Sequence, residues 1–552
     1  MFDKETIYSF AILIGLSATG IAVAQTPPDA GSLLREQKPV QVEPPKGKAT
    51  LPQVTEPASP SADATPIEVK SLRVTGSTVF AAETLEALVA NVAGQRRTLR
   101  ELQIAAARIT AHYRRAGYTL ARAYLPQQKM QDGVVTIEVL EGRLEKVQTE
   151  NASRLSDELV QARLSRLEAG AALKKSTADR ALLLLSDTPG VGMVDSRFAP
   201  GSRRGESVLV TKLGAAPLLA GRVDADNHGG LYTGRYRLGA SADLNSLLGY
   251  GERFSARLLA SDGELYNGRL AAQVPLGYDG LSLGAAVAHN TYALGNSFAA
   301  LDAVGRSTTA ELNVRYPWVR SVDFNLYTQA GYEYRLLRDE VRSTDTVTDK
   351  HANVGTLSLS GDLRDSLGGG GVTQGSLTLT GGHLVIDSVG AAAIDAAGAR
   401  TAGNYAKLAF GIERQQALPA GFSLNLQLRG QWAADNLDSS EKFGLGGPNG
   451  VRAYASNESL GDRGWLGTIE LRYAVAQWLT AAVFHDHGEV TVNANPYLAS
   501  ANTLRRSGNG LGVMGSYESF DWRAYAAWRD GAVGTAEPDK SPRLWVQAGW
   551  RF

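Results

Sequence analysis

Between residues 219 and 552 apolar and polar side chains alternate with a period of two, in segments of about ten residues, which predicts β-strands rather than helices. In residues 421–429, Phe422, Leu424, Leu426 and Leu428 fall on one face and Ser423, Asn425, Gln427 and Arg429 on the other. Residues 324–335 repeat the pattern, with Phe324, Leu326, Tyr332 and Tyr334 against Asn325, Gln329, Glu333 and Arg335. So does the C-terminal stretch, where Leu544, Val546, Trp550 and Phe552 oppose Arg543, Gln547 and Arg551. A soluble sandwich also alternates. Here the polar face carries Arg, Asn and Gln while the other face stays apolar over many strands, with Tyr and Trp near segment ends, and that combination predicts a membrane barrel with a polar lumen. About sixteen segments can be marked, an even number as single-chain bacterial barrels have. No helix is expected after residue 219. The last strand ends on Phe552, the terminal aromatic of outer-membrane barrels.

Upstream the period changes. Residues 67–74 read as a strand, 81–92 and 98–118 as helices, and 121–125 and 134–140 as strands. Leu99, Leu102, Ala106, Ile109 and Tyr113 make one stripe of the second helix. Thr98 with Glu101 forms a capping box, and Arg114 and Arg115 ahead of Gly117 close that helix. The same β-α-α-β-β order returns at 144–150, 156–167, 177–186, 193–198 and 207–213. Two modules, 67–142 and 143–215, therefore precede a barrel at 216–552. Their sheet edges suit an extended client that adds a strand.

Ahead of the modules lies a short helix within residues 25–38 that carries Leu33, Leu34 and Arg35, with Asp29 or Ser32 able to cap it. A helix of this length is marginal alone, so it must dock or fray. Residues 39–66 hold prolines at 39, 44, 45, 52, 57, 60 and 66, the composition of an extended spacer. Residues 7–23 are apolar and end at Ala22-Val23-Ala24, so 1–24 reads as a cleaved signal peptide, although Asp3 and Glu5 beside Lys4 make its start atypical.

Composition narrows the chemistry. The 56 basic and 56 acidic residues cancel, which gives no reason to expect a nucleic-acid partner. The absence of Cys excludes disulfides, thiol catalysis and thiolate metal sites. After Gln25 no apolar run is long enough for a spanning helix, so any membrane crossing is by strands. His485 and His487 face outward by parity and make a poor metal site. Asp365 beside the glycines at 368–371 lacks the strand-then-helix context of a phosphate loop. No catalytic constellation, cofactor site or metal site is read.

The stretch from Gly444 to Gly464 is too long and too Gly-rich for a hairpin turn. With it, the chain resembles the two-partner secretion transporters, the TpsB family of haemolysin and filamentous-haemagglutinin exporters. The modules resemble POTRA domains, with residues 74–80 similar to the family's strand-to-helix turn and Gly117-Tyr118 preceding a strand. Asp226-Asn227-His228-Gly229 with Thr233-Gly234 resembles the first barrel hairpin, and the helix around Leu33 the plug helix. Val451-Arg452-Ala453-Tyr454 resembles the tip of the sixth extracellular loop, and Phe484-His485-Asp486-His487-Gly488 the Phe-x-Asp-x-Gly strand motif.

The resemblance implies an outer-membrane barrel with periplasmic POTRA domains, a loop at 435–463 folded into the lumen, and transport of a large unfolded exoprotein, whether adhesin, haemolysin or haem-binding protein, recognised through its N-terminal secretion domain. Outer-membrane lipid and the barrel assembly machinery are the other implied partners. Strand parity turns Asp486 inward, and an Arg452–Asp486 pair is expected to hold the loop as an exchangeable, solvent-screened luminal contact. Ala453 stands where the family has Gly, which strains the tip if that position needs positive φ. The alternatives are a barrel-assembly insertase of the same superfamily and a diffusion pore.

Overall fold

The computed structural model describes residues 27–37, 49–52, 66–129, 132–167 and 169–552. The expected signal peptide at 1–24 and most of the Pro-rich segment lie outside the described residues. Helix α1 (Ala30–Gln37) comes first, capped by Asp29, whose Oδ1 accepts from the Ser32 amide at 2.9 Å. Strand β1 (Ala49–Thr50) follows, inside the segment expected to be spacer throughout.

The first module departs from its expected outline at its start. The strand expected at 67–74 is two strands, β2 (Pro66–Val69) and β3 (Ser71–Thr75), because the Gly133 carbonyl accepts from the amides of both Lys70 and Ser71 and bends the chain there. β2 pairs with β4 (Gln95–Thr98), a strand not foreseen, while α2 (Ala82–Ala87) is shorter than expected and ends in a 3-10 turn. α3 (Leu99–Arg115) has the Thr98–Glu101 capping box and buries Leu102, Ala106, Ile109 and Tyr113 against β5 (Arg122–Tyr124) and β6 (Val134–Leu140). Glu141, buried at the end of β6, accepts from the amides of Thr78 and Val79 and from the Tyr113 hydroxyl at 2.6, 2.7 and 2.9 Å. Burial pushes its carboxyl up, but these hydrogen bonds outweigh burial and hold it below the usual range.

The second module contains β7 (Arg143–Asn151), α4 (Asp157–Leu164), α5 (Lys175–Ser186), β8 (Val191–Pro200) and β9 (Glu206–Ala215). Its sheet runs β1-β8-β9-β7, so the upstream segment supplies the fourth strand.

Sixteen antiparallel strands then close into a barrel. These are β10 (Leu219–Asp226), β11 (Arg237–Asn245), β12 (Arg253–Ser261), β13 (Tyr266–Leu276), β14 (Leu281–Ala293), β15 (Ala303–Arg320), β16 (Phe324–Val341), β17 (Thr346–Asp365) and β18 (Gly371–Ile386). After α6 (Val389–Ala397) come β19 (Gly403–Ala417), β20 (Phe422–Ala433), β21 (Phe443–Gly444), β22 (Leu460–Gly461), β23 (Arg463–Ala476), β24 (Leu479–Thr491), β25 (Thr503–Tyr517), β26 (Phe520–Arg529) and β27 (Arg543–Arg551). β21 and β22 pair with each other outside the barrel. α6 corrects the expectation of no helix after residue 219: its Ala-rich sequence favours a helix, and it lies between β18 and β19 where no ladder claims the backbone.

Alternation decides the faces. Phe422, Leu426, Leu428 and Trp432 on β20 are exposed to the outside, while Asn425 and Gln431 are buried inside. β10 and β27 seal the barrel, and Phe552 continues the seal by exchanging backbone hydrogen bonds with Gly221. Its ring covers Gly221, where a Cβ would stand 2.2 Å from the Phe552 ring tip.

The second module is fastened to one rim of the barrel. A register shift around Pro317 in β15 leaves the Pro317 carbonyl free, and Arg180 of α5 donates to it at 2.8 Å. Arg320 grips Asp187 with two nitrogens at 2.6 and 2.9 Å, and Asp279 in the β13–β14 turn accepts from Tyr316 at 2.7 Å and pairs with Arg166 at 2.9 Å.

Candidate functional site

The loop between β20 and β23 turns inward. Its arch is tight: the Val451 amide donates to the Leu445 carbonyl at 2.7 Å and the Gly447 amide to the Tyr454 carbonyl at 3.1 Å. Gly447 takes φ +105, and a Cβ at Gly450 would stand 2.1 Å from the Leu445 oxygen, so those two glycines are sterically required. The arch buries Leu445, Val451, Ala453 and Tyr454 against Leu466, Phe484 and Val490 of the wall. Gly488 on β24 makes room, since a Cβ there would meet Leu445 at 2.7 Å.

Arg452 stands at the centre. Its Nε and Nη2 donate to the two oxygens of Asp486, each at 2.9 Å, and its own backbone amide donates to Asp486 Oδ2 at 3.0 Å. The Nη1 reaches Glu470 on β23 at 2.5 Å, the Arg452 carbonyl accepts from Trp545 Nε1 at 2.7 Å, and Thr468 donates to Asp486 at 2.9 Å. The guanidinium lies 3.3 Å from the centroid of the Phe484 ring, with Tyr525 beside it. Arg452 and Asp486 are 5% and 0% exposed. The contact is therefore a buried network in which Arg452 joins two carboxylates and Glu470 also accepts from Arg472 at 2.7 Å, not the screened pair expected. Breaking a buried pair of this kind costs about 3–5 kcal/mol, against about 0–1 for an exposed one.

Three more charge clamps hold the same loop. Glu458 accepts from Arg506 of β25 at 2.6 and 3.0 Å and from the amides of Thr535 and Ala536. Glu441 pairs with Arg335 of β16 and with Lys407 of β19, the latter at 2.6 Å. Asp438 pairs with Lys350 of β17 at 2.7 Å. The loop is thus fastened to β16, β17 and β19 and to β23, β24 and β25, and so bridges the lumen.

The remaining lumen holds α1. Leu33 and Leu34 are buried with Tyr232, Leu259, Tyr292 and Leu337, and the Ala30 amide donates to Asp339 at 2.8 Å. On its other side the helix meets the loop. Ser439 donates to Asp29 at 2.6 Å, Arg35 donates to the Ser439 carbonyl at 3.2 Å and to Asn457, and Asn457 donates to Glu36. Helix and loop share hydrogen bonds and stand as one obstruction.

The structure brings together Arg452, Asp486, Phe484, Val451, Ala453, Tyr454 and Gly488 in one cluster. It places Leu33, Leu34 and Arg35 in the lumen beside that cluster, and Phe552 on the outer face, far from it in function. Ala453 lies outside the positive-φ region, so its side chain imposes no backbone strain. Its methyl faces Gly508, where a Cβ would stand 2.5 Å away. Sequence reasoning missed Glu470, Trp545 and the three outer clamps. Parity was the available signal for Glu470, because Thr468, Glu470 and Arg472 alternate with the outward Ile469 and Leu471. Among the described residues no cluster of metal-ligating side chains occurs.

Residues 205–515 match the family described as haemolysin secretion/activation protein ShlB/FhaC/HecB, and residues 67–142 match the ShlB-type POTRA domain. The chain is 26% identical over 504 residues to the heme/hemopexin transporter protein HuxB of Haemophilus influenzae, covering 88% of each chain. It is 24% identical to the outer membrane transporter CdiB of Dickeya dadantii, over 87% of this chain and 82% of that one. The fold is similar to that of CdiB from Escherichia coli, with a TM-score of 0.71 at 20% identity, over 92% of this chain and 94% of that one.

Proposed function

From the premise that the chain belongs to the ShlB/FhaC/HecB family of haemolysin secretion/activation proteins, we propose how its geometry moves a polypeptide. The protein is an outer-membrane transporter of the two-partner, type Vb kind, with its barrel in the membrane and its POTRA modules in the periplasm, and it works with a secreted exoprotein. One observation carries the mechanism: the lumen of a sixteen-stranded barrel is filled by a helix and a loop that are bonded to each other and to the wall. A barrel this wide conducts unless something occupies it. α1 and its cap are held by apolar contacts, a few charge-assisted hydrogen bonds and one long ion pair, Asp29–Lys350 at 4.0 Å, whereas the loop has four closer charged anchors. The helix leaves first, and the Arg452 network keeps the loop fixed to the wall while the client passes unfolded beside it.

The client is recognised through its N-terminal secretion domain by the POTRA modules, residues 67–142 and 143–215. Of the client classes adhesin, haemolysin and haem-binding protein, the likeness to HuxB favours the last. The protein is made with a signal peptide at 1–24, and Phe552, at the sealing strand, is the signal read by the barrel assembly machinery. Inactivating the gene and comparing the culture medium with the outer membrane tests this. Loss of one large exoprotein is expected, whereas broad loss of outer-membrane proteins would favour an insertase.

A further inference from the structure

Residues 49–52 join the plug helix to the second module in an unexpected way. β1 pairs in parallel with β8, Ala49 opposite Val194 and Thr50 opposite Asp195. Leu51 lies against the apolar core of that module, and Pro52 lines a small cavity with Leu120 of the first module and Leu173 and Phe198 of the second. Without β1, β8 is the open edge of its sheet. β8 has ten residues, and the tether pairs with only two of them. An open edge presents unpaired amide and carbonyl groups to any extended chain.

We propose that the β8 edge is the docking site for an extended segment of the exported polypeptide, and that residues 49–52 hold this edge in the resting molecule, so that a docking client frees the plug helix. This rests on the transport reading above. The occupant matches the placeholder in chemistry: an uncharged strand with an apolar residue in the Leu51 position. It wins by length, because every further residue paired along β8 adds backbone hydrogen bonds the tether lacks. The edge belongs to the module that Arg180 and Arg320 fasten to the barrel rim, so a docked segment is delivered at the mouth of the lumen.

Release matters because of reach. With Ala49 pinned, residues 38–48 let α1 move at most about 40 Å from β8. With β1 undocked, residues 38–65 extend the limit to about 100 Å, measured from β2. Client binding at the periplasmic edge thus becomes slack on the helix in the lumen, with no contact between the two sites.

The test uses the full-length protein in nanodiscs and a fluorescein-labelled peptide of residues 47–53 as the strand probe. Leu51→Asp vacates the edge, and the peptide is expected to bind this variant at least tenfold tighter than the wild type by anisotropy. In planar bilayers the same variant is expected to show more frequent large-conductance openings. A Thr50→Cys, Asp195→Cys pair, in a chain with no other Cys, is expected to suppress openings when oxidised and to restore them on reduction, with heat-modifiable migration verifying the folded barrel. Equal peptide binding to both proteins, or openings indifferent to the disulfide, overturns the proposal. Neither readout needs an exoprotein: if they behave as expected and no exoprotein depends on the protein, the transport reading fails and the exported polypeptide falls as occupant, while the tether's hold on the β8 edge and on the plug stands.

Discussion

The methyl group of Ala453 fits because Gly508, across the interface on β25, has none. Gly508→Ala is therefore expected to displace the arch at a cost of about 1–3 kcal/mol, the usual penalty of overpacking, and Ala453→Gly to recover part of it. Heat-modifiability midpoints of the two single variants and the double variant check this; additive losses would contradict it. At Arg452, alanine leaves the buried Asp486 carboxylate without its paired guanidinium and leaves Glu470 with Arg472 alone. Export is expected to fall at least tenfold while the barrel still inserts. Arg452→Lys is expected to rescue poorly, because a point charge cannot engage two carboxylates and stack on Phe484 together. Normal secretion by Arg452→Ala would remove the network from the mechanism. The Arg452–Asp486 contact was legible because parity and motif both pointed to it. The Glu441, Glu458 and Asp438 clamps were not, because their partners lie on strands brought near only when the barrel closes.

Among elements, the plug helix and the inward loop depend on each other through Asp29, Arg35, Ser439 and Asn457. Arg35→Ala is expected to raise the open probability in bilayers several-fold without altering barrel stability, since the helix alone is too short to hold its shape. At the rim, Asp279 is held below the usual carboxylate range: burial pushes it up, but Tyr316, Arg180 and Arg166 outweigh burial. A depressed carboxyl contributes stability while ionised and loses it as pH falls through its folded value. The contact between the second module and the barrel is thus expected to stay intact from pH 8 to 5 and to loosen below about pH 4. Spin-label distances between α5 and the β13–β14 turn would show it, with Asp279→Asn already broadened at pH 7. Barrel strands were readable because one face meets lipid and the other water. β4 and the break at Lys70 were not, because both depend on where Gly133 and β2 come to rest. α6 has no partner face to leave a period behind.

Across the whole molecule, a chain with no net charge places its luminal acids and bases as clamps rather than as a field. The architecture of a short helix, two modules and sixteen strands was legible from period and order, whereas the helix's place as a plug came only from the resemblance. How tightly the lumen is filled was not, since density in three dimensions leaves no mark on a linear pattern. The account stands on the helix having to leave. Ala30→Cys with Asp339→Cys joins the helix to β16 where the Ala30 amide meets the Asp339 carboxylate at 2.8 Å. The decisive measurement is the amount of the dependent exoprotein in the medium with this disulfide closed and then opened. Export is expected to stop with the bond closed and to resume on reduction. Undiminished export through a fully crosslinked transporter would contradict passage through the lumen.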